Sequence, residues 1–579
     1  MLLANANGRR LLVCFLLVFC SLPVPAVAAT PSPVFVHTQD SDEWVSQSLH
    51  IQRRYARVLI VDASGTPPRR VRVPELNLNS RGNVNGPERE YQVSASFRTL
   101  QDAADAAEGG DLVAVMPGEY AGFVIEEKSS AGDNRYIHFK AMGEPGDVII
   151  NRASRIPDWM ILLRATHHVI IQGFNIAGGN KPGVEPFGPR AGIMLDGDFS
   201  KTGKQTHHIV IVANFSHNHR KWGLHTRDTH TVLMQDNLFA RSAVEHSAYV
   251  SDGSDNYVIR RNVFFGSASG GLQCNLDSVS SFHDLIKNDE LKSYPPEQPT
   301  RQWAVGLVKL ATEKFRENNF PDGRGTNFII EDNVMNENGR VGGGSLNLAG
   351  LQDSLIQNNV IYGNLNHGIA QWNDANPYDE AYVDPGPSSP DQVKGPDDLP
   401  LWGCHGNVIR NNTVLMNNHD RSAMQARNGS WGTKMRNNIF VNDQPTSIEV
   451  YNTSIYRLDA AWNVANTVAY VSTAGGDQTK SMPESLKVLA VHLPDAPDAI
   501  TGITLEQAAK EFVGYSNQPW VIIEGKWWRL NPNRPDFRPR VNSKLFAHRG
   551  DSRNLPKHDL TGARRTAPSI GAFVPAETR

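Results

Sequence analysis

Short apolar runs that end in asparagine recur along the chain. The segments HHIVIVANFS, HTVLMQDNLF and DNYVIRRNVF are three of them, and each places β-branched and apolar residues before the asparagine. Seven asparagines share this setting: Asn214, Asn237, Asn262, Asn333, Asn359, Asn412 and Asn438. The gaps between them are 23, 25, 71, 26, 53 and 26 residues, and a period of 23 to 26 residues indicates stacked coils.

These asparagines are expected to be structural. Each coil of such a stack supplies short strands that pair with the coils above and below at about 4.8 Å. Side-chain amides at one phase then form a ladder inside the stack, in which each amide bonds to the neighbouring coils. Because buried polar groups must be satisfied internally, we assign the asparagines to the scaffold and not to chemistry.

The two long gaps predict coils that carry insertions. The first insertion, residues 277–326, has partly helical patterns, and the second, residues 373–403, is rich in Pro and Asp without a period. Long loops on a rigid stack usually bind ligands or cover a cleft. A helical spacing ahead of the stack predicts a cap for its open end and is shared by Leu100, Ala103, Ala104 and Ala107.

Together these patterns predict an all-β fold of stacked coils, a solenoid, over residues 97–464. An N-terminal extension of residues 29–96 precedes it. A small C-terminal region of residues 465–579 is expected to pack on the stack. Within that region, the segment from Trp520 to Trp528 reads as short strands at the end of the stack.

The N-terminus has the pattern of a secretory signal. Arg9 and Arg10 precede an apolar run from Leu11 to Leu22, and Ala26-Val27-Ala28 supplies small residues for cleavage. Residues 1–28 are therefore predicted to be removed, which places the mature protein in the periplasm or outside the cell. The apolar run is shorter than the ~20 residues that a bilayer requires, so we expect no membrane span.

Composition narrows the choice of partners. The chain has 579 residues, of which 40% are hydrophobic, and a formal net charge of −3. This balance gives no basic footprint, so we expect no nucleic-acid partner. Cys274 and Cys404 are the cysteines left after signal cleavage, and two cysteines do not make a disulfide framework. A repeat array of this length can form one body, so the length does not demand many domains. We expect a monomer.

Three successive coils align on Gly223, Ser247 and Gly271 and read GLHTR, SAYVS and GLQCN. Alternation along a strand turns every second side chain outward, and the outward set comprises His225, Arg227, Tyr249, Ser251, Gln273 and Asn275, with Asn347 and Trp372 added by later coils. Sugar hydroxyls need planar donors and acceptors, pyranose faces stack on aromatic rings, and a carboxylate suits an Arg fork. The stripe predicts a polysaccharide partner, with Ser251, Gln273, Asn275, Asn347 and Trp372 as substrate-binding residues.

Three segments carry a resemblance to a known group of proteins. They are AAEGGDLVAVMPGEY, the repeated V-I-x-x-N coils, and DLTGARRTAPSIGAF at Asp559 to Phe573. In these the chain resembles exported right-handed parallel β-helix proteins of the pectate-lyase-like group, which includes chondroitinase-B-like and alginate lyases and mannuronan epimerases. The resemblance implies a lyase that cleaves a uronate-containing polysaccharide by β-elimination.

Such a reaction needs a group that neutralises the carboxylate, a base that removes the C5 proton and a donor that protonates the leaving oxygen. We expect His225 to be the base, Tyr249 the proton donor and Arg227 the neutralising cation. The densest ionisable cluster of the chain surrounds them, and its further catalytic candidates are Lys221, Arg241, Glu245 and His246.

Several alternatives stay open. A glycoside hydrolase needs paired carboxylates, for which the available acids are Asp228, Glu245, Asp252 and Asp255. A C5 epimerase would share the first steps of a lyase, and a non-catalytic glycan-binding surface protein would use the stripe without any reaction.

Metal sites are not clearly indicated. A chondroitinase-B-like site implies a Lys and an Arg on successive coils beside calcium, and Lys221 and Arg241 have about that spacing without an acidic cluster around them. Calcium is possible beside the acidic insertion at Asp379, Glu380 and Asp384. No paired-histidine ligand pattern suggests zinc, and no metal ligand is assigned.

Overall fold

The structure is a computed structural model. It describes residues 40–81, 84–128, 135–180, 185–197, 204–276, 325–340, 343–372, 403–417, 421–427, 430–443, 447–451, 454, 457–466, 468–471, 502–547, 549–553 and 555–576. The predicted signal peptide, nearly all of both predicted insertions and the acidic residues Asp379, Glu380 and Asp384 lie outside these ranges. None of the helices that the structure describes is long and apolar enough to span a bilayer.

Three long parallel sheets form the body of the protein. Sheet I has 13 strands, in chain order Val58–Val61, Ala95–Phe97, Leu112–Val115, Ile137–Ala141, His167–Gln172, Thr206–Val212, Thr229–Gln235, Asp255–Arg260, Phe328–Glu331, Leu355–Gln357, Val408–Arg410, Lys434–Arg436 and Asp459–Ala461. Sheet II has 11 strands, Phe123–Glu126, Trp159–Arg164, Ala191–Asp196, Trp222–Arg227, Ala248–Ser251, Leu272–Asn275, Gly344–Ala349, His367–Trp372, Met424–Ala426, Ile448–Tyr451 and Val468–Val471. Sheet III also has 11, Gly118–Ala121, Val148–Arg152, Asn175–Ala177, Phe215–His217, Leu238–Ala240, Val263–Phe265, Val334–Asn336, Val360–Tyr362, Thr413–Met416, Ile439–Asn442 and Val464–Ala465.

Each coil visits sheet I, then sheet III, then sheet II. A strand pairs in parallel with the equivalent strand of the next coil, as Thr206–Val212 does with Thr229–Gln235. This is the predicted right-handed parallel β-helix. It begins earlier than the predicted residue 97, because Val58–Val61 already pairs with both Ala95–Phe97 and Leu112–Val115. The early strand carries no asparagine marker, so the repeat pattern did not reveal it.

The interior of the coils is apolar and continuous. The predicted inward residues Leu224, Ala248, Val250 and Leu272 all belong to the main core cluster, together with side chains from every coil between Leu59 and Ala465. Cys274 and Cys404 are buried and not bonded to each other. Burial raises the pKa of the Cys274 thiol, which is therefore a small core side chain and not a nucleophile.

The predicted asparagine ladder is present. In each step the backbone N–H and side-chain Nδ2 of one asparagine donate to the Oδ1 of the next, as between Asn214 and Asn237 at 2.9 and 3.1 Å. The Nδ2 group also donates to a carbonyl of the preceding coil, such as that of Ile211 for Asn237 at 2.8 Å. Asn463 extends the ladder beyond the predicted seven, since its Oδ1 accepts from Asn438.

In the described part of the chain three short helices flank the stack: α1 at Ser41–Ser48, α2 at Leu100–Ala106 and α3 at Leu505–Lys510. Helix α2 is the predicted cap, and its buried Leu100, Ala103 and Ala104 join the main core. The Lys128 ammonium donates to the carbonyls of Ala104, Asp105 and Ala107 at 2.6 to 2.7 Å. A cation at this end complements the negative end of the helix dipole.

The N-terminal segment covers the outer face of sheet I. Trp44, Val45 and Leu49 pack on the outward side chains Ile170, Val210, Leu233 and Val258. The antiparallel hairpin of Arg70–Leu76 and Asn85–Gln92 lies over the start of the same sheet, where Val71 and Val73 meet Val58 and Ile60.

The C-terminal region covers the outer face of sheet III. Phe512, Trp520, Phe537, Phe546 and Ile570 share an apolar cluster with the outward residues of that sheet. Its hairpins are Phe512–Gly514 with Asp536–Pro539 and Val521–Glu524 with Trp527–Leu530. The segment from Trp520 to Trp528 therefore lies along the side of the stack, not at its end as expected, because the apolar outer face of sheet III offers the larger surface.

The two covering segments meet. Lys557 forms an ion pair with Asp40 at 2.8 Å. Arg81 lies between them, where it forms an ion pair with Asp332 at 2.7 Å and donates to the carbonyl of Asp559 at 3.4 Å.

One further short strand pair, Gly325–Thr326 with Leu351–Gln352, is parallel. Beyond the cap helix at its first strand, sheet II is covered by no helix or hairpin in the described part of the chain.

We predict that Asn333→Ala lowers the free energy of unfolding by about 2 kcal/mol or more, because it strands a buried N–H and a buried carbonyl that cost about 1 to 3 kcal/mol each. Asn333 Oδ1 accepts from Asn262 at 3.0 Å, and its Nδ2 donates to Ile259 at 2.8 Å. The urea midpoint measures the effect. Asn151→Ala, at an exposed position of sheet III, is the control and should shift stability by no more than about 0.5 kcal/mol. Equal midpoint shifts in both variants would contradict a structural ladder.

Candidate functional site

The outer face of sheet II carries two columns of aligned side chains. Residues in one column share a register position on successive strands, so neighbours lie about 4.8 Å apart. One column runs through Met194, His225, Tyr249, Gln273, Asn347, Ala370 and Gln425. The other runs through Arg164, Asp196, Arg227, Ser251, Asn275, Ala349 and Trp372. The outward phase expected from the sequence is therefore the phase that the strands adopt.

His225 and Tyr249 form the centre of the first column. Their ring centroids are 5.1 Å apart and their planes are inclined by 24°, so the rings are stacked. The Tyr249 hydroxyl accepts a long hydrogen bond from Asn275 Nδ2 at 3.4 Å. On its other side His225 lies against Trp222, with centroids 4.3 Å apart. The imidazole of His225 and the phenol of Tyr249 are thus held side by side on the outer face of sheet II.

Ser251 decides the tautomer of His225. Its Oγ lies 2.9 Å from the Thr226 carbonyl oxygen and 3.3 Å from His225 Nε2. Asp252 Oδ2 is a second acceptor for this hydroxyl, at 3.2 Å. Since the hydroxyl proton goes to one of these two oxygens, we assign the hydrogen of His225 to Nε2, which donates to the Ser251 oxygen. The lone pair of His225 then lies on Nδ1, which is buried without a hydrogen-bond partner in the part of the chain that the structure describes. An unsatisfied buried acceptor is unusual in a folded protein.

Electrostatics keep this imidazole uncharged. Burial lowers the pKa of His225 to about 3, and the cations Arg227, Arg190 and Lys221 act in the same direction while Asp196 opposes them. The ring is therefore a neutral acceptor at pH 7. An anion bound beside it would raise this pKa, because it would stabilise the imidazolium.

Arg227 is already paired with a carboxylate. Its Nη2 lies 2.8 Å from Asp196 Oδ1, and Arg164 Nε lies 3.1 Å from the other oxygen of the same buried side chain. Although burial opposes the charged form, Asp196 raises the pKa of Arg227. Glu126 in turn pairs with Arg164 at 2.9 Å. Charges thus alternate along this column, and Arg227 is less available to a substrate than the sequence suggested.

Arg190 is a site residue that the sequence analysis missed. Its guanidinium lies over the rings of Trp159 and Trp222, 5.6 and 5.4 Å from their centroids. Within the described ranges it forms an ion pair with no carboxylate, and it is close enough to lower the pKa of His225. Arg190 directly precedes the strand Ala191–Asp196, whose pairing with Trp222–Arg227 brings it next to Lys221. That coil has no asparagine marker, so its register was not visible in the sequence.

The remaining catalytic candidates separate into two groups. Lys221 and Glu245 pair at 2.5 Å, and Glu245 also accepts from Trp222 Nε1 at 2.8 Å, so both border the stacked pair. His246 accepts from the Gly270 N–H at 3.0 Å, and burial lowers its pKa to about 4. Lys221, Glu245 and His246 therefore form the wall of the site. The polar atoms named here are engaged in hydrogen bonds or ion pairs with neighbouring residues.

Arg241 is not brought to this face. It follows the sheet III strand Leu238–Ala240 with a φ of 57°, and its guanidinium lies over Phe265 at 5.9 Å, also in sheet III. The positive φ turns the chain at this corner and directs the side chain to sheet III. The expected pairing of Lys221 with Arg241 is therefore not made, and we remove Arg241 from the site.

The predicted binding residues continue the groove. Trp372 Nε1 donates to Asn347 Oδ1 at 2.8 Å, and Asn347 Nδ2 donates to Gln273 Oε1 at 2.5 Å. Trp372 and Asn347 also line a cavity of about 260 Å³ with His367, Gln425, Arg421 and Arg427. These two arginines were not foreseen. They flank the strand Met424–Ala426, which comes after the second insertion. Burial and both arginines lower the pKa of His367 to about 4.

The acids proposed for a hydrolase do not form a pair across the groove. Asp255 accepts from the N–H and hydroxyl of Thr326 at 2.6 and 2.7 Å, and Glu245 is held by Lys221. Asp228 and Asp252 lie at turn positions with φ of 49° and 48°. Retaining or inverting hydrolysis needs two carboxyl groups that face one bond. These four acids give no such arrangement.

Comparisons with known proteins give structural similarity only. No protein-family model matches the chain, and no curated protein sequence matches it. It is similar to the crystal structure of pectate lyase Pel9A, with 13% identity over 91% of this chain and 98% of that one and a TM-score of 0.47.

Two further solved structures are similar over less of the chain. The A-module of the Azotobacter vinelandii mannuronan C-5 epimerase AlgE6 has 13% identity over 64% of this chain and 93% of that one, with a TM-score of 0.32. An alginate lyase from Paenibacillus sp. str. FPU-7 has 15% identity over 64% and 92%, with a TM-score of 0.28. No residue role is transferred from these proteins.

We predict that His225 stays neutral on acidification. Since its pKa is lowered to about 3, it should bind no proton between about pH 8 and pH 5, whereas an ordinary histidine titrates near 6.5. Carbon-13 NMR of histidine-labelled protein measures this, with the signal assigned by its loss in His225→Gln. A titration midpoint near 6.5 for that signal would show that the ring is solvated and not enclosed as described.

Proposed function

We propose that this protein is an exported enzyme that cleaves a uronate-containing polysaccharide by β-elimination in the groove of sheet II. The observation that carries the proposal is the stacked His225–Tyr249 pair, on the face that the described termini leave uncovered. The base nitrogen of this pair has no hydrogen-bond partner among the residues that the structure describes. Export to the periplasm or the exterior is supported by the signal-like N-terminus.

The reaction needs few groups. Nδ1 of His225 is buried, so the step requires the ring to turn and present this nitrogen to the groove. His225 Nδ1 then removes the proton on C5 of a uronate, and the electron pair of that C–H bond forms the C4–C5 double bond. The bond from C4 to the glycosidic oxygen breaks, and the oxygen takes the Tyr249 phenolic proton. Proton exchange with water restores both side chains. The products are a new non-reducing end that carries an unsaturated uronate and a chain that ends in a hydroxyl.

Arg190 is the best placed partner for the substrate carboxylate. Neutralising that group acidifies the C5 proton, so a cation beside the base is required. Arg227 already shares Asp196 with Arg164, whereas Arg190 lies over the rings of Trp159 and Trp222 and forms no ion pair within the described ranges. The carboxylate would also offset the cations that lower the pKa of His225, so binding would strengthen the base.

The arrangement favours one stereochemical class of substrate. His225 and Tyr249 approach from the same side because both project from one face of sheet II. Base and acid on one side suit an elimination in which the C5 hydrogen and the C4 oxygen lie on the same face of the ring. Glucuronate and mannuronate have this relation, while galacturonate, guluronate and iduronate have the opposite one. We therefore expect polymers of the first two.

The cavity at Trp372 would bind a sugar several units away. From His225 to Gln425 the column takes five steps, or roughly 24 Å at about 4.8 Å per strand. The Trp372 ring can stack on a sugar face, and the guanidinium groups of Arg421 and Arg427 can form bidentate hydrogen bonds with a carboxylate. A polymer that lies along the columns would contact both places at once.

We predict that His225→Ala and Tyr249→Phe each lower kcat/KM at least about 100-fold, which is the usual loss when a general base or acid is removed. The mature protein is incubated with glucuronan, mannuronate-rich alginate, hyaluronan and polygalacturonate. Ultraviolet absorbance of unsaturated ends and reducing sugar are followed in parallel. Far-ultraviolet circular dichroism checks that each variant is folded.

Tyr515→Phe and His558→Ala, both outside sheet II, are the matched controls and should keep full activity. Reducing ends without unsaturation would indicate a hydrolase, and a changed uronate composition without cleavage an epimerase. Binding alone would indicate a non-catalytic glycan-binding protein. Unsaturated product with both site variants at full activity would overturn the assignment of His225 and Tyr249.

We predict that Trp372→Ala raises KM several-fold for long chains and leaves kcat nearly unchanged, since the contact is made equally in ground and transition states. Trisaccharides too short to reach the cavity should show no change. Arg421→Gln should behave alike, and Arg529→Gln, at an exposed ion pair of the C-terminal hairpin, is its control. A fall in kcat for short substrates would place Trp372 at the reacting centre instead.

A further inference from the structure

Five histidines gather at the corner that joins sheet II to sheet I, outside the groove. His167 and His168 begin one strand of sheet I, His207 and His208 occupy the same positions one coil later, and His230 follows in the third coil. We call these five residues the histidine corner. Neither the fold nor the proposed elimination needs a histidine at any of these positions.

A backbone turn brings sequential rings to the same place. In an ordinary strand, successive side chains point to opposite faces. His168 and His208 instead have φ of 58° and 53°, in the left-handed region. The same turn recurs in other coils at Thr231, Asn256 and Asn327, so it belongs to the scaffold. What distinguishes this corner is that three successive coils place imidazoles on it.

The rings form two stacks with their nitrogens close together. His167 and His207 are 4.6 Å apart between centroids, with planes inclined by 6°, and His168 and His208 are 4.5 Å apart with planes inclined by 12°. Across the stacks, the Nδ1 atoms of His167 and His168 lie 2.7 Å apart, and so do those of His207 and His208. One ligand nitrogen from each of His167, His168 and His207 lies within 4.8 Å of the other two.

We propose that His167, His168 and His207 bind a divalent transition-metal ion, with Zn²⁺ as the reference ion. Three neutral imidazoles are a common protein ligand set for this ion, with a fourth position left for water or another side chain. His208 and His230 are the nearest further imidazoles, since their rings stack on His168 and His207.

Ligand chemistry limits the choice of ion. Imidazole suits Zn²⁺, Cu²⁺ and Ni²⁺, whereas Ca²⁺ and Mg²⁺ require oxygen ligands. The histidine corner is therefore distinct from the calcium site considered for the acidic insertion.

The required movement is small. Zn–N bonds of about 2.0 to 2.1 Å in a tetrahedral site hold the ligand nitrogens roughly 3.3 Å apart. The distance of 2.7 Å between the Nδ1 atoms of His167 and His168 is shorter than this, and the 4.8 Å limit for the three ligand atoms is longer. His168 is buried, and His167 and His207 are half-buried. Rotation of these imidazoles about their side-chain torsions would accommodate the ion without moving the strands.

A metal here would join coils that are far apart in sequence. His168 and His207 are 39 residues apart, and His207 and His230 are 23 apart. The sequence predicted no zinc site, because a zinc site is usually indicated by two ligands at a fixed spacing on one local element. In a stack the partner ligand comes from the next coil, so the relevant spacing is the length of the coil.

The test uses the full mature chain, purified without a polyhistidine tag and treated with a chelator. Isothermal titration with Zn²⁺ should show about one equivalent bound with micromolar or tighter affinity, and the melting temperature should rise with Zn²⁺ as expected for a ligand of the native state. His207→Ala and His167→Ala should weaken binding at least tenfold. His558→Ala, outside the corner, should bind like the unmodified chain.

His207→Phe separates a metal site from an aromatic stack. The phenyl ring keeps the stacking and removes the ligand, so this variant should melt like the metal-free protein and lose the Zn²⁺-dependent rise. If the histidine variants do not fold, Zn²⁺-induced shifts of histidine NMR signals in the unmodified chain decide the matter. Absence of saturable Zn²⁺ binding, or equal binding by His207→Phe and the unmodified chain, would overturn the proposal.

Discussion

The parallel pairing of each coil with the next is the constraint on which the rest of the structure depends. The asparagine ladder fixes that pairing from inside, because one amide satisfies both the backbone of its own turn and the side chain of the neighbouring coil. A slip of one residue would leave eight buried amides unpaired and turn the outward columns inward. The order of residues on the outer face of sheet II is therefore set by hydrogen bonds on the opposite side of the backbone.

Charge is distributed unevenly over that face. Asp196 forms ion pairs with two arginines, and Glu245 binds a lysine and an indole N–H. Arg190 lies over aromatic rings and has no carboxylate partner among the described residues. The result is a neutral imidazole with cations on several sides. Such a place is poorly suited to hold a proton until an anion arrives, so substrate binding and the strength of the base are coupled by electrostatics alone.

The sequence predicts the scaffold well and the site only partly. The ladder asparagines, the cap helix and the outward phase of His225 and Tyr249 follow from local periodicity. Arg190 and the early strand Val58–Val61 lie in coils without the asparagine marker, so their register depends on pairing that no local pattern encodes. Arg421 lies in the coil of Asn412, but in a connection whose course the marker does not set. The partners of Arg227 and Arg241 could not be predicted either, because they are set by the neighbouring coil and by the direction of a corner. The same holds for the histidine corner, whose members are ordinary turn residues until coils are stacked.

The contact between the two covering segments affects how the protein unfolds. A stack of coils in which each unit contacts only its neighbours would be expected to fray from its ends. Here Lys557 joins Asp40, and Arg81 joins Asp332 and Asp559, so the first and last parts of the chain are fastened to each other over the middle of the stack. Loosening either end disturbs coils far from it. The protein should therefore lose its structure in one cooperative event, and a chain that ends before Asp559 would lack the closure that makes it so.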